Sequence, residues 1–545
     1  MIDVSHTYKQ AVYAPTRRTA AKVRFEILDN EAYNDHLSKV TGEALISRKD
    51  QLSNKVRAMT HKYATLEKDY FKLDGSFYIP PLRLEDDNSE LGWWSANLCD
   101  GNGVFTPYQV VEFSFGEEHN SMGLTITFDP VAGEWGTDFD IDVYRMDDTL
   151  IWHESVANYS KPTYVMIQGL DNYGKIAITI KQWVKPYRRA RVTEVDFGVI
   201  KEYEGDELIK LSILEEINVA GNTIPVNELK FTIENSNREF NILNPQGFYR
   251  FLKDRQEIEA SMGVEVGSNE FEYLDFKRYY LTDWQSDEGA LTSTFTARNV
   301  LELLDQKEYT GMGVTNLYDL AEQILLQTGV AEYEIDPALA GIATQGFTKS
   351  LTARKALQYI GIAGRAAVYQ GRQGVLQIKQ FKTLDEVSTY LVYCGDNGLY
   401  CGYQAYTAVD KGYDMKNITF DNVYSPPQIK LDKLLYNLVM VVYNGEEKEE
   451  ISFMNPHAKE GITLKCDNPL INTVEHAREV AGWIINESNL RAEYTINWRQ
   501  NPCLECGDIV LVEDSFNAKK QSRITKQEYD YQGYLTGRTA SKGGV

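Results

Sequence analysis

The feature that most limits what this chain can fold into is a series of short alternating runs, cut by turn residues, between residues 110 and 180. They are Val110-Val111-Glu112-Phe113-Ser114-Phe115, Gly123-Leu124-Thr125-Ile126-Thr127-Phe128, Phe139-Asp140-Ile141-Asp142-Val143-Tyr144, Tyr164-Val165-Met166-Ile167 and Lys175-Ile176-Ala177-Ile178-Thr179-Ile180. Alternation sends apolar side chains to one side of an extended backbone and polar ones to the other. Asp-Pro, Ala-Gly and Asn-Tyr-Gly separate the runs. Strands spaced about 10–20 residues apart are the signature of an antiparallel sandwich. The class expected is mainly β with minor α+β.

At 545 residues the chain is too long for one core, and roughly three to five domains are expected. No period of about 20–50 residues recurs, which excludes a solenoid or propeller. Residues 1–79 read as an N-terminal arm with one alternating strand, Lys22-Val23-Arg24-Phe25-Glu26-Ile27-Leu28-Asp29, then a polar region to about residue 75 that is a helix or an extended arm. Tyr78-Ile79-Pro80-Pro81 reads as a linker, residues 80–188 as the sandwich, and Lys185-Pro186-Tyr187-Arg188-Arg189 as its close.

Residues 189–310 are strand-rich again, with clean alternation in Glu228-Leu229-Lys230-Phe231-Thr232-Ile233-Glu234 and β formers in Thr292-Ser293-Thr294-Phe295-Thr296-Ala297. Residues 311–395 read as a small α/β domain. Its first helix, at 315–328, lines up Leu317, Leu320, Ala321, Ile324 and Leu325, with Gly329 at the C-terminal cap; its second covers 353–363. In residues 396–545 a third helix starts at Asn472 with Glu475 as a capping box and buries Val474, Ala477, Ala481 and Ile484. A strand follows at Gly507-Asp508-Ile509-Val510-Leu511-Val512, and Thr539 to Val545 read as a frayed tail.

Composition narrows the function classes. There are 79 acidic and 56 basic side chains, net −23, a field that attracts neither nucleic-acid phosphates nor anionic lipid. The 35 tyrosines, beside 21 phenylalanines and 8 tryptophans, suit half-buried strands and protein interfaces. Met1-Ile2-Asp3-Val4-Ser5-His6 lacks a basic segment followed by an apolar one, so no signal peptide is expected. The longest apolar run, Leu434 to Tyr443, is about half a bilayer span, so no membrane span is expected either. Cytoplasmic synthesis follows, with Cys99, Cys394, Cys401, Cys466, Cys503 and Cys506 reduced.

No catalytic, cofactor or metal constellation stands out. Cys503-Leu504-Glu505-Cys506 lacks the second ligand pair that a zinc site needs and leads into a strand rather than a helix; small buried thiols are the reading preferred. Cys394 and Cys401 flank a Gly-containing turn. His6, His36, His61, His119, His153, His457 and His476 include no HExxH pair, and neither a GxSxG elbow nor a P-loop occurs. Asp138, Asp140 and Asp142 share one face of a strand, as a solvated acidic face or, less simply, a calcium site. Trp93, Trp94, Trp135 and Trp152 lie in or beside turns, where sugar-binding sandwiches place stacking platforms, although tryptophan also fills sandwich cores; core packing is expected for at least two of the four.

One resemblance carries further. Ile224-Pro225-Val226-Asn227-Glu228-Leu229-Lys230-Phe231-Thr232-Ile233-Glu234-Asn235, Phe240-Asn241, Asn244-Pro245-Gln246-Gly247, Tyr279-Tyr280-Leu281-Thr282-Asp283-Trp284 and Ala297-Arg298-Asn299-Val300-Leu301-Glu302-Leu303-Leu304-Asp305 are similar to the baseplate hub family of long-tailed phages and contractile injection systems. So are Tyr369 to Ile378, and Asn501 to Val510 resembles the closing barrel strands of that family. The likeness covers roughly residues 190–545 and rests on order and spacing. Upstream, Tyr63 to Gly75 and Gly92-Trp93-Trp94-Ser95 resemble tail proteins of phages infecting Gram-positive hosts.

The resemblance implies two hub-type β-barrel domains, 189–310 and 396–545, with the small helix-containing domain between them and the N-terminal β-sandwich inserted into, or ahead of, the first barrel. It implies a homotrimer in a virion tail tip that adapts a six-fold tail tube to a three-fold tip. Its partners would be tail tube, distal tail or baseplate proteins and a spike or fibre, with no cofactor, no catalysis and no specific nucleic-acid binding. The acidic excess is expected on the channel wall. Rival readings are a host-surface binder, whose sandwich recognises cell-wall polysaccharide, and a cell-wall hydrolase.

Overall fold

The computed structural model describes residues 2–79, 89–221, 223–244, 247–253, 255–286, 289, 291–310, 316–347, 349–384, 416–445, 447–516 and 519–544. Cys394 and Cys401, with the turn between them, lie outside the described residues, as do Pro80, Pro81, Pro245, Gln246 and Thr315. The chain divides into two compact units, one of residues 24–202 and 238–256, the other of residues 1–23, 203–237 and 257–545.

Among the described residues the strands of the first unit include β1 (His36–Val40), β2 (Trp93–Leu98), β3 (Val104–Thr127), β4 (Gly136–Tyr144), β5 (Leu150–Val156), β6 (Thr163–Trp183), β7 (Arg189–Val192) and β8 (Glu194–Asp196). They form an antiparallel sheet in the order β8-β3-β6-β4-β5, with β1 also on β3, and a separate β2–β7 pair. The apolar side of the alternation supplies the core: Phe113, Ile126, Ile141 and Ile178 from the large sheet meet Trp93 and Val192 from the pair.

Four of the five expected strands fuse into two. Residues 110–115 and 123–128 lie on or end the single 24-residue β3, and 164–167 and 175–180 both fall on the 21-residue β6. What reads as a break is a set of register shifts in the β3–β6 ladder around Ser114, His119 and Ser121. Such bulges bend a strand without ending it. Gly123 sits at the last of them with φ 156°, where a Cβ would lie 1.8 Å from the Met166 carbonyl oxygen, so the crossing strands approach as only glycine permits. The polar 30–75 region is neither one long helix nor an arm. It carries a one-turn helix, Ala32–Asp35, then β1, irregular chain that buries Leu52 completely, and the short strand Lys62–Tyr63, which pairs with Phe77–Tyr78 and buries Tyr63 completely.

The second unit is built on one large sheet. Its strands include β9 (Leu208–Glu216), β10 (Glu228–Glu234), β11 (Glu257–Gly267), β12 (Glu270–Gln285) and β13 (Thr292–Arg298). A small sheet follows with β14 (Tyr333–Ile335), β15 (Ala366–Gln370) and β16 (Leu376–Gln380), then β17 (Lys416–Ile418), β18 (Gln428–Leu431), β19 (Leu435–Asn444), β20 (Glu447–Met454) and β21 (Ile462–Asp467). The last are β22 (Ala492–Trp498), β23 (Ile509–Glu513), β24 (Lys519–Tyr531) and β25 (Leu535–Gly543).

Within this unit the large sheet runs β11-β12-β13-β10-β9-β24-β25-β22-β18, with β23 on β24 and β17 on β23. The mainly β class with minor helix stands, but the two closed barrels expected at 189–310 and 396–545 do not form among the described residues. Pairing explains the correction. β9 gives one edge to β10 and the other to β24, from Leu211 opposite Tyr531 to Glu216 opposite Lys526, so the two strand sets merge instead of each closing on itself.

The helices follow their apolar stripes. α1 (Leu317–Thr328) starts at Asn316, whose side chain accepts from the Asp319 N–H, and ends at Gly329 in the left-handed region, φ 74°. α2 covers Ala353–Gly364. α3 (Val474–Asn489) is capped by Thr473 rather than Asn472, and buries Ala477, Val480, Ala481 and Ile485. Val474 and Ile484 are only half-buried, because the register of the stripe is set by the contact with β19 in a shared core. The expected frayed tail is instead most of β25: Thr539 and Ser541 are wholly buried between β22 and β24.

Candidate functional site

Trp93 and Trp94 lie side by side on β2 and neither is exposed at all. The Trp93 indole donates to the Gly42 carbonyl at 3.0 Å and that of Trp94 to the Leu91 carbonyl at 3.1 Å. No ring face is left to a sugar at either. Trp135 and Trp152 are half-buried against the core of the same unit, with indole bonds to the Tyr159 carbonyl (2.9 Å) and to Glu154 (3.4 Å). Glu154 also accepts from the Tyr164 hydroxyl, and Tyr159 and Tyr164 pack edge to face at 5.1 Å.

Trp94 has a different partner. The Arg191 guanidinium stacks over its ring at 4.1 Å and over Tyr70 at 4.3 Å, a buried cation between two aromatic faces. Arg191 bonds Glu67 at 2.6 Å and Asp129 at 3.0 Å, and reaches Glu134 at 3.4 Å. Glu134 is shared with Arg188 (3.2 Å), Lys185 (3.1 Å) and the Trp183 indole (3.1 Å). Three carboxylates therefore meet three cations, of which Arg188 and Arg191 are buried and Lys185 is half-exposed, and the charges balance. Burial pushes the Asp129 carboxyl up; around Glu134 burial is outweighed by Arg191, Trp183 and Lys185, which hold it low. Sequence reading missed this network because Glu67 and Asp129 are remote in the chain.

A second buried group is not balanced. Arg57 bonds Glu26 at 2.7 Å and Asp196 at 2.8 Å, and Glu194, also on β8, accepts the backbone N–H groups of Asn54 (3.3 Å) and Lys55 (2.9 Å). Arg24 also reaches Glu26 at 3.1 Å, which leaves three carboxylates against two guanidinium groups, and burial and Asp196 push the Glu194 carboxyl up to about 9. His119 bridges two further carboxylates, Asp29 at 3.2 Å and Asp35 at 3.0 Å, and Lys253 also reaches Asp29 at 2.9 Å.

Asp140 and Asp142 face one side of β4. Asp140 meets Lys181 at 2.6 Å and the Ser155 hydroxyl at 2.7 Å, Asp142 meets His153 at 2.6 Å, and Asp138 accepts from the Thr137 hydroxyl at 3.0 Å. Among the described residues no group of three or more His, Cys, Asp or Glu side chains is placed to hold a metal ion.

In the second unit a cavity of about 780 Å³ is lined by Glu216, Glu334, Tyr369, Lys379, Phe381 and Asp508 among others. Its wall is braced by Arg372, which bonds Glu215 through Nε (2.9 Å) and Nη2 (2.8 Å), the Leu504 carbonyl (2.6 Å), the Pro502 carbonyl and the Tyr529 hydroxyl, with its cation 4.3 Å from the Phe276 ring centre. Every nitrogen of the fork has a partner, so Arg372 staples the 502–506 turn to β9 and β24. Cys506 also lines the cavity, its thiol reaching the Glu215 carbonyl at 3.5 Å; burial pushes that thiol up and keeps it protonated, the opposite of what a nucleophile needs. The cavity can hold a group by shape and charge, and burial pushes the lining Asp508 carboxyl up as well.

No family model and no curated protein matches the chain. Similar solved structures include the tail protein from Neisseria meningitidis MC58, at 10% identity over 63% of this chain and 93% of that one, with a TM-score of 0.43. The 43 kDa tail protein of prophage MuSo2 from Shewanella oneidensis matches at 11% identity over 63% of this chain and 95% of that one, TM-score 0.39. A shorter match, 33% of this chain and 99% of that one at 12% identity and TM-score 0.21, is the family 32 CBM from C. perfringens NanJ, solved with galactose.

Proposed function

We propose that this chain is a structural hub protein of a phage tail or phage-like particle, three copies of which form a ring between a six-fold tail tube and a three-fold tip. The observation that carries the reading is the β9–β24 pairing. In one sheet it joins the strand set that includes the resembling stretches around residues 224–305 to the set that follows Asn501–Val510, the stretch that resembles the closing strands of the other domain. The residues behind the resemblance support it by position, because Glu228–Glu234, Tyr279–Trp284 and Ala297–Arg298 are on the neighbouring strands β10, β12 and β13.

Each subunit then offers two β modules to the ring, which is how three copies can match six positions. The division into a first hub domain (189–310), a small α/β domain (311–395) and a second hub domain (396–545) belongs to this reading, as do tail tube, distal tail or baseplate proteins and a spike or fibre as partners. The role asks for edges and faces that pair with neighbours and for no catalysis. A channel wall carrying the acidic excess would keep passing DNA from adhering. The test is to locate the chain in imaged particles: a ring at the distal end of the tube supports the reading, and a position away from the tube axis overturns it.

A second reading, carbohydrate binding by the first unit, is favoured by the half-buried Trp135 and Trp152 beside Tyr159, Tyr164 and Glu154, since flat apolar faces next to a carboxylate suit a pyranose ring. Wall polysaccharide bound by the full chain and lost in Trp152→Ala supports it; equal binding by both chains removes it.

A further inference from the structure

The large sheet of the second unit ends abruptly. β18 pairs with β22 on one side, and among the described residues no strand pairs with its other side, leaving a row of backbone N–H and C=O groups without ladder partners. The register shows what that edge carries. Ile429 stands opposite Tyr494 and Leu431 opposite Ala492, and directly opposed residues share a face. Tyr494 and Ala492 are 2% and 1% exposed, part of the core that also holds Trp498, Val510 and Ile524. Ile429 and Leu431 continue the same apolar face, yet they are 54% and 52% exposed. The core face thus extends one strand beyond its cover.

Of the devices that keep an edge strand unpaired, β18 has shortness and one lysine, but no inward-pointing charge, bulge or proline within the strand. β18 has isoleucine and leucine at the inward positions, and its one charge, Lys430, points to the opposite face, 3.9 Å from Asp432 and 3.6 Å from Glu493. What completes such an edge is another strand with apolar residues at alternate positions. This chain has one to offer. β20 ends the sheet β20-β19-β21, with Ile451 and Phe453 opposite the buried Met440 and Leu438 and themselves only half-buried. It is acidic where β18 is basic, carrying Glu447, Glu449 and Glu450 against Lys448.

We propose that β18 of one copy pairs with β20 of a second copy of this chain, so that Ile429 and Leu431 are covered by Ile451 and Phe453. Two different edges meet, which makes the contact head to tail; such a contact closes into a ring when its rotation divides the circle and runs on as a filament when it does not, whereas self-pairing of one edge stops at two copies. The inference rests on the ring-forming reading above and names the seam.

The test uses the full chain. The double variant I429E/L431E changes only half-exposed side chains, so its melting curve should match that of the unaltered protein, while its mass in solution should fall to the single-copy 62.1 kDa. Assembly that survives I429E/L431E undiminished overturns the seam and leaves the ring reading standing. An unaltered chain that stays a single copy as concentration is raised and with tail tube protein present removes both. As an arm independent of the folding of I429E/L431E, the pair I429C/I451C should give covalent multimers on mild oxidation that neither single cysteine variant gives. A cross-link confined to one copy overturns the proposal.

Discussion

The Arg191 guanidinium lies 4.1 Å above the Trp94 ring and bonds Glu67 at 2.6 Å, with all three side chains shut away from water. Taking one member from such a group strands the others. Arg191→Met leaves Glu67, Asp129 and Glu134 with too little positive charge and should cost about 3–5 kcal/mol. Trp94→Ala removes the ring under the cation and should cost about 3–5 kcal/mol through its cavity. Denaturant unfolding of the two variants and their combination checks this, and the double variant should lose clearly less than the two losses added together, because the groups share contacts.

Glu194 gives stability a pH dependence. Its carboxyl, pushed up to about 9 by burial and Asp196, is ordinarily near 4.5. A group raised on folding contributes fully below its unfolded value, and that contribution drains away as pH climbs toward the folded one. The chain should therefore lose stability between pH 5 and 9, and Glu194→Gln, neutral throughout, should lose clearly less across that window. Calorimetry on both chains reads this directly, and parallel profiles would show that Glu194 is ionised when folded.

Arg372 should behave as a staple and not as a reagent. Arg372→Met leaves Glu215 buried without its cation and should cost about 3–5 kcal/mol. Adding Glu215→Gln removes the stranded charge and should restore at least half of that, measured by thermal unfolding. A double variant as unstable as the single one would place the loss in the Pro502 and Leu504 carbonyls instead.

Local order was legible in the sequence where a pattern and its stop signal fall within one element. The stripe from Leu317 to Leu325 with Gly329 behind it gave α1 to within two residues, and the alternation of Glu228–Glu234 gave β10 at its observed limits. Long-range pairing was not legible. The fusion of β3 depends on bulges against β6, and β25 has a Ser, Thr, Lys and Gly composition that reads as a tail until β22 and β24 enclose it. Whether β9 returns to its own set or joins β24 depends on which edge is free, a property of the assembled sheet. The two tryptophans withdrawn from the surface show the same limit: Trp94 faces Arg191 across the β2–β7 pair, and no spacing along the chain announces that.

The central claim is that copies of this chain assemble into a three-membered ring, and the mass of the purified protein in solution tests it most directly. The account predicts a species of about 186 kDa, three times 62.1 kDa. A single 62.1 kDa species that persists as concentration is raised and in the presence of tail tube protein would contradict it.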